Sequence, residues 1–121
     1  MSISKFLLQG ALTASLALAL GCASAPMPVE RIASAKAAIR SAAEVGATGH
    51  AGAKLHLQMA QDELARAEHL MAQDENELAR GFLMRAEADA ELALALARQA
   101  NAESEASAMQ GRVHAMETAT Q

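Results

Sequence analysis

Small apolar residues, most of them alanine, recur through much of the sequence at alternating spacings of three and four residues. The longest such stripe comprises Ala79, Leu83, Ala86, Ala90, Ala93, Ala97 and Ala100. This spacing places all of these side chains along one side of an α-helix. Alanine is the best helix former, but its side chain fills little space in a core. The pattern therefore predicts an all-α fold in which the helices approach one another closely.

Three helices are predicted after a linker over residues 22–27, and together they form one helical domain over residues 28–121. The helices are expected over residues 28–45, 51–73 and 75–109 or beyond, and Pro28 suits the first turn of the first helix. The first two helices carry the stripes Ile32, Ala35, Ile39 and Ala42, and then Ala53, Leu57, Ala60, Leu64, Ala67 and Met71. We expect a three-helix antiparallel hairpin or bundle with a long C-terminal helix.

The two turns between these helices differ in their sequence signals. Gly46, Gly49 and Gly52 separate the first two helices, because each glycine costs about 1 kcal/mol in a helix interior. The second turn is predicted near Asp74, where the apolar stripe shifts by one residue and where Asp74 and Glu77 have the spacing of a capping box. No glycine or proline forces this second turn, so a single bent helix from Ala51 onward is the alternative.

The first 21 residues are predicted to be a secretory signal peptide. Lys5 precedes an apolar run over residues 6–20, and small residues follow it, which is the arrangement typical of such signals. The run of about 15 residues is too short to span a bilayer core of about 30 Å comfortably. We therefore expect the segment to be removed rather than to anchor the chain.

Cys22, the only cysteine of the chain, stands where this apolar run ends. The preceding residues, Leu18-Ala-Leu-Gly21, resemble the bacterial lipobox, in which signal peptidase II cuts before a cysteine that carries a diacylglyceryl thioether and is then N-acylated. The resemblance implies cleavage between Gly21 and Cys22, with lipid attachment at Cys22. In a diderm bacterium, Ala23 in place of aspartate after the cysteine implies the periplasmic face of the outer membrane. An ordinary signal peptide cut after Ala23 or Ala25 is the alternative.

Composition argues against several classes of function. The formal net charge is -4, only 2% of the residues are aromatic, and the basic residues form no cluster. Nucleic-acid binding requires cations that neutralise phosphates and usually aromatic faces on which bases stack. A single cysteine excludes both an internal disulfide and a zinc site built on cysteines. We therefore expect no nucleic-acid partner.

The sequence contains no side-chain spacing typical of catalysis or of metal binding. His50, His56, His69 and His114 do not combine with a carboxylate at ligand spacing, so we expect solvated histidines and no metal site. Glu87 and Glu91 share a helix face, but an exposed acidic face is far commoner than a pair of carboxylates in acid–base catalysis. We expect no enzymatic activity, no cofactor and no small-molecule substrate.

Several short segments carry a family resemblance: Ala35-Lys-Ala-Ala-Ile39, Val45-Gly-Ala47, Leu57-Gln-Met-Ala60, Glu63-Leu-Ala-Arg-Ala67 and Ala86-Glu-Ala-Asp-Ala-Glu-Leu-Ala93. They resemble the bacterial envelope family catalogued as domain of unknown function 4398, over about residues 29–100. Members are typically lipoproteins or periplasmic proteins, some with a peptidoglycan-binding OmpA-like domain after this segment. The resemblance therefore implies an envelope location and supplies no catalytic residues.

The chain departs from this family pattern in both of its loops. Members often have proline in the first loop and Gly-Asp in the second, where this chain has His50-Ala-Gly52 and Asp74-Glu75. No OmpA-like domain is expected here, and a direct cell-wall role by that route is not supported.

The sequence thus predicts a non-enzymatic envelope lipoprotein that acts as a helical interaction or scaffolding module. We expect Ala90, Ala93, Ala97 and Ala100 to form a free seam, for a second copy or for a helical periplasmic partner. One alternative is a spacer associated non-covalently with the cell wall, since the last lysine is Lys54 and attachment through a C-terminal lysine is not expected. Another is binding of a small apolar ligand, for which alanine seams leave little room.

Overall fold

The computed structural model of the protein describes residues 25–120. Helix α1 spans Val29–Glu44, a 3₁₀ turn spans Ala47–Gly49, α2 spans Ala51–Ala72 and α3 spans Asn76–Ala119. No strand occurs between residues 25 and 120, and the predicted all-α fold with a long C-terminal helix is confirmed. The predicted signal peptide and the predicted lipid attachment at Cys22 lie outside the described residues.

The three helices run alternately up and down, so that α1 and α3 point in the same direction and α2 in the opposite one. One core cluster joins the end of α1, the start of α2 and the middle of α3, through Ala42, Ala53 and Ala93. The other joins the middle of α1 to the start of α3, through Ala35 and Ala79, and also includes the end of α2. α3 has 44 residues against 22 for α2, or about 66 Å against about 33 Å at 1.5 Å per residue.

The first turn depends on one glycine with a left-handed backbone. Gly46 follows the end of α1 with a φ of 91°, a conformation that residues with a Cβ rarely adopt. Its amide donates to the carbonyl of Ala43 at 3.0 Å, and the amide of Val45 donates to that of Ser41 at 3.2 Å. These bonds satisfy carbonyls that the end of a helix otherwise leaves free, and the predicted glycine break is confirmed.

The second turn is a Schellman motif in which aspartate occupies the usual glycine position. Asp74 has a φ of 60°, and its amide donates to the carbonyl of Met71 at 3.2 Å. The next amide, that of Glu75, donates to the carbonyl of Leu70 at 2.9 Å. These are the two bonds that define this way of ending a helix. Because Asp74 reverses the chain here, α2 and α3 are separate helices and the alternative of one bent helix is wrong.

The predicted capping box at this turn is also wrong. The residue that precedes α3 is Glu75, not Asp74, and no side chain caps the start of the helix. Asp74 serves instead as the left-handed residue that ends α2, a conformation that its short polar side chain tolerates better than most. At the start of α3, the side chains of Asn76 and Arg80 contact the segment that precedes α1.

All three predicted stripes lie on the inner sides of their helices. The fully buried apolar residues are Ala35, Ala42, Ala47, Ala53, Leu57, Ala60, Ala67, Ala79, Leu83, Ala86, Ala90, Ala93 and Ala97. Ile32, Leu64 and Met71 are partly buried against the same core. Because most of these side chains are methyl groups, the helices pack with little apolar volume between them, and larger side chains such as Leu83 fill the remaining space.

The predicted partner seam is occupied by the chain itself. Ala90, Ala93 and Ala97 have no exposed surface, and Ala100 is half-buried. The sequence prediction is wrong because α2, whose 22 residues run antiparallel to α3, covers α3 together with α1 from its start to about Ala97. The connection between α1 and α2 lies beside Asn101, which covers the seam up to that residue.

Candidate interaction surface

The last part of α3 projects beyond the bundle. Every residue from 102 to 120 is exposed, while α3 remains helical up to Ala119. We call residues 102–119 the extension; at 1.5 Å per residue it is about 27 Å long. Within the described part of the chain, no helix is both long and apolar enough to cross a membrane.

One side of the extension carries an apolar stripe that the sequence analysis missed. It comprises Ala102, Ala106, Met109, Val113 and Met116, again at alternating spacings of four and three residues. Met109 is 64% exposed, Val113 49% and Met116 63%. At about 100° per residue, this stripe lies roughly opposite the buried stripe of the same helix. Of these two apolar faces, only one packs against the rest of residues 25–120, so within this part of the chain the second is available to another molecule.

The signal for this stripe was present in the sequence but was hidden by the stronger one. Extending the buried stripe beyond Ala100 leads to Ser104 and Ser107, where the apolar pattern fades. On the opposite face of the helix, the same spacing recurs at Met109, Val113 and Met116. Long, flexible methionine side chains adapt well to a partner surface.

Polar side chains, five of the six charged, flank the apolar stripe of the extension on both sides. One flank carries Arg98, Glu105 and Arg112, and the other carries Glu103, Gln110 and Glu117. All six are exposed. An apolar stripe with flanking charges is the surface arrangement of helices that pair as coiled coils.

The opposite end of α3 holds the segment that precedes α1. The buried side chain of Asn76, 6% exposed, donates from Nδ2 to the carbonyl of Ala25 at 2.8 Å. Arg80 donates from Nη2 to the carbonyl of Pro26 at 3.3 Å. We call these two contacts the linker clamp. Through these two hydrogen bonds the clamp fixes residues 25 and 26 against the first turns of α3.

Two of the four histidines join helices, contrary to the expectation that all four are solvated. His56 Nδ1 lies 2.7 Å from Oδ1 of Asp89 and links α2 to α3. His50 Nε2 lies 3.1 Å from Oδ1 of Asn101, whose Nδ2 donates to the carbonyl of Val45 at 3.1 Å. The contacts of Asn101 hold the turn between α1 and α2 against α3 at the point where the extension begins.

His69, His114 and the pair Glu87 and Glu91 lie in different surroundings. His69 and His114 are exposed. Glu87 accepts a hydrogen bond from Ser34 and lies near Arg31, so it joins α1 to α3, whereas Glu91 is exposed. Residues 25–120 contain no group of three or more potential metal ligands. The polar side chains between the helices have contacts that hold the bundle together.

A groove between α2 and α3 has one aromatic side chain and charged walls. It is lined by Asp62, Glu63, Arg66, Phe82 and Arg85. The guanidinium carbons of Arg85 and Arg66 lie 4.2 Å and 5.4 Å from the centre of the Phe82 ring. Since cations cover the ring and Glu63 pairs with Arg85 at 2.9 Å, this groove is poorly suited to a small apolar ligand.

The fold and its surfaces define an alanine-rich three-helix bundle with a helical extension. The sequence model of one family, described as a domain of unknown function (DUF4398), matches residues 30–109. The chain belongs to this family, and the resemblance stated from the sequence is confirmed. The match covers the bundle and the first part of the extension, up to Met109. No curated protein and no solved structure matches the chain.

Proposed function

We propose that this protein is a non-enzymatic lipoprotein of the cell envelope, anchored through Cys22 in the outer membrane. In this proposal it acts as a helical interaction module that presents the extension in the periplasm. The observation that carries the proposal is the placement of the linker clamp and of the extension at opposite ends of α3.

Cys22 lies only a short stretch of chain before the linker clamp. Ala25 is held by Asn76, and three residue steps separate it from Cys22. An extended chain covers at most about 3.6 Å per residue, so a lipid on Cys22 lies within about 11 Å of Ala25. Attachment there puts the start of α3 close to the membrane surface.

The other end of α3 lies far from the clamp. The 44 residues of α3 correspond to a rod of about 66 Å, and the extension forms its far end. A lipid at the base and an exposed apolar stripe at the tip are the arrangement of a tethered module that contacts a partner away from the membrane. Two or more acyl chains hold such a module durably, since each buried CH₂ contributes about 0.8 kcal/mol.

The alternative function, a spacer that binds the cell wall non-covalently, fits the extension less well. Peptidoglycan is a polar polymer of sugars and short peptides, whereas Met109, Val113 and Met116 present an apolar stripe. An apolar stripe gains free energy chiefly by being covered with another apolar surface. A helical protein partner provides such a surface.

Mass spectrometry of the protein extracted from its native membranes tests the anchoring. We expect the mature chain to begin at Cys22 and to carry the mass of a diacylglyceryl group and an N-acyl chain. Substituting Cys22→Ala is expected to abolish both the added mass and the cleavage before residue 22. A mature chain with a free thiol at Cys22, or one that begins at Ser24 or Pro26, would overturn the proposal.

A further inference from the structure

We propose that the extension pairs with the extension of a second copy of this chain as a parallel, in-register, two-stranded coiled coil. This inference names the partner in the interaction role proposed above and rests on that role for its orientation.

The apolar stripe of the extension has the heptad pattern of a coiled-coil seam. Ala106 and Val113 occupy a positions, and Ala102, Met109 and Met116 occupy d positions. The extension packs against no other part of the described chain, because each of its residues is exposed. Most helices in proteins depend on packing of an apolar face for their stability. A second helix along the stripe provides that packing.

The rest of the bundle leaves room for such a pair. The stripe lies roughly opposite the buried face of α3, so α1 and α2 lie on the outer side of each copy. The same a-position row continues back along α3 through Gln99, Leu92, Arg85 and Leu78, all of them exposed, with Leu92 43% and Leu78 59% exposed. Two copies can therefore approach along α3 without a clash between their bundles.

The flanking charges favour a parallel arrangement. On the two flanks of the stripe, Arg98, Glu105 and Arg112 occupy g positions of the heptad, and Glu103, Gln110 and Glu117 occupy e positions. In a parallel pair, each g residue faces the e residue five positions later in the other copy. Arg98 then faces Glu103, Arg112 faces Glu117, and Glu105 faces Gln110. By symmetry this gives four attractive contacts and no repulsive one.

An antiparallel arrangement has fewer favourable contacts. In an antiparallel pair, g residues face g residues and e residues face e residues. In the register with the most attractive contacts, Glu105 of each copy faces Arg112 of the other, and Glu103 of each copy faces the uncharged Gln110 of the other. That register has two attractive contacts instead of four. Copies tethered by their N-terminal ends to one membrane also present their extensions in the same direction, which agrees with the parallel pair.

Sedimentation equilibrium tests the pairing. The sample is the mature protein purified from the cells that process it, in a density-matched detergent. We expect a reversible dimer for the natural sequence and at least a tenfold higher dimer Kd for Val113→Glu, because a charge at an a position is costly to bury. The matched control is Ala115→Glu, which makes the same change of charge two residues away but outside the stripe. We expect this control to dimerise like the natural chain, and circular dichroism to show both variants folded.

A charge exchange tests the orientation separately. Arg112→Glu is expected to raise the dimer Kd by about tenfold, since exposed ion pairs of this kind contribute modestly and two of them become repulsive. Adding Glu117→Arg to the same chain is expected to restore the natural Kd. In the antiparallel register Arg112 faces Glu105, so Glu117→Arg would not restore dimerisation, and that result would overturn the parallel pair.

Other outcomes separate this inference from the proposed function. A strict monomer at all concentrations, or an equal loss in Val113→Glu and Ala115→Glu, would overturn self-association. If the monomer's extension instead crosslinks to a different helical protein, the inference fails and the interaction role stands. If Cys22 is unmodified but the dimer forms, the anchoring fails and the pairing stands.

Discussion

Replacing Ala93 with glutamate is expected to destabilise the bundle strongly. Ala93 has no exposed surface, and its methyl group packs among Ala42, Ala53 and Leu57. A glutamate side chain does not fit there without forcing α3 away from α1 and α2, and its carboxylate has no cation within the cluster. We expect a loss of about 3–5 kcal/mol or more, against a total of about 5–15 kcal/mol for a small domain.

Thermal and urea unfolding followed by circular dichroism measure this effect. The matched control is Ala88→Glu, which makes the same change at an exposed position of α3 and is expected to change the free energy of unfolding by no more than about 0.5 kcal/mol. Equal stability of the two variants would show that Ala93 is accessible, as a free partner seam requires. That result would contradict the packing of Ala93 against α1 and α2.

Replacing Leu83 with alanine is expected to have the second largest effect. Leu83 is the largest side chain that the bundle buries completely, and its neighbours include Ala35, Ala67 and Ala79. Alanine neighbours have no side-chain length with which to fill the space left behind. The expected loss is therefore about 2–5 kcal/mol, the range for leucine to alanine in a core.

Urea unfolding distinguishes this core effect from a general effect of shortening a leucine. Leu78→Ala removes the same atoms from a side chain of α3 that is 59% exposed, and we expect it to cost less than about 1 kcal/mol. For both variants the dependence of the free energy on urea concentration should match that of the natural chain. A Leu83→Ala variant as stable as Leu78→Ala would mean that the core lies elsewhere.

Most of the secondary structure followed from local signals in the sequence. The spacing of alanine stripes predicted three helices, and the glycines around Gly46 predicted the first turn. The second turn was located near the correct residue but was assigned the wrong geometry. Asp74 in a left-handed conformation depends on how α2 meets α3, and no nearby residue indicates it.

The candidate surface was harder to predict because it depends on which helix face is covered. The spacing of Ala90, Ala93 and Ala97 identifies a packing face but does not say whether the chain's own helices or another molecule cover it. In the structure α1 and α2 cover it: the 22 residues of α2 run back along α3 to about Ala97, and the contacts of Asn101 with the first turn lie just beyond. Pairs such as His56 with Asp89 depend on the rotation of each helix, which the sequence pattern leaves open.

Site-specific photocrosslinking of the full-length protein in its native membranes tests most directly whether the extension is the contact surface. A photoreactive residue replaces Met109, 64% exposed on the apolar stripe, or Met59, 42% exposed on α2. The account predicts a crosslinked product at position 109 with twice the mass of the chain, containing only this protein, and no such product at position 59. Crosslinking at both positions alike, at position 59 alone, or at neither would contradict it.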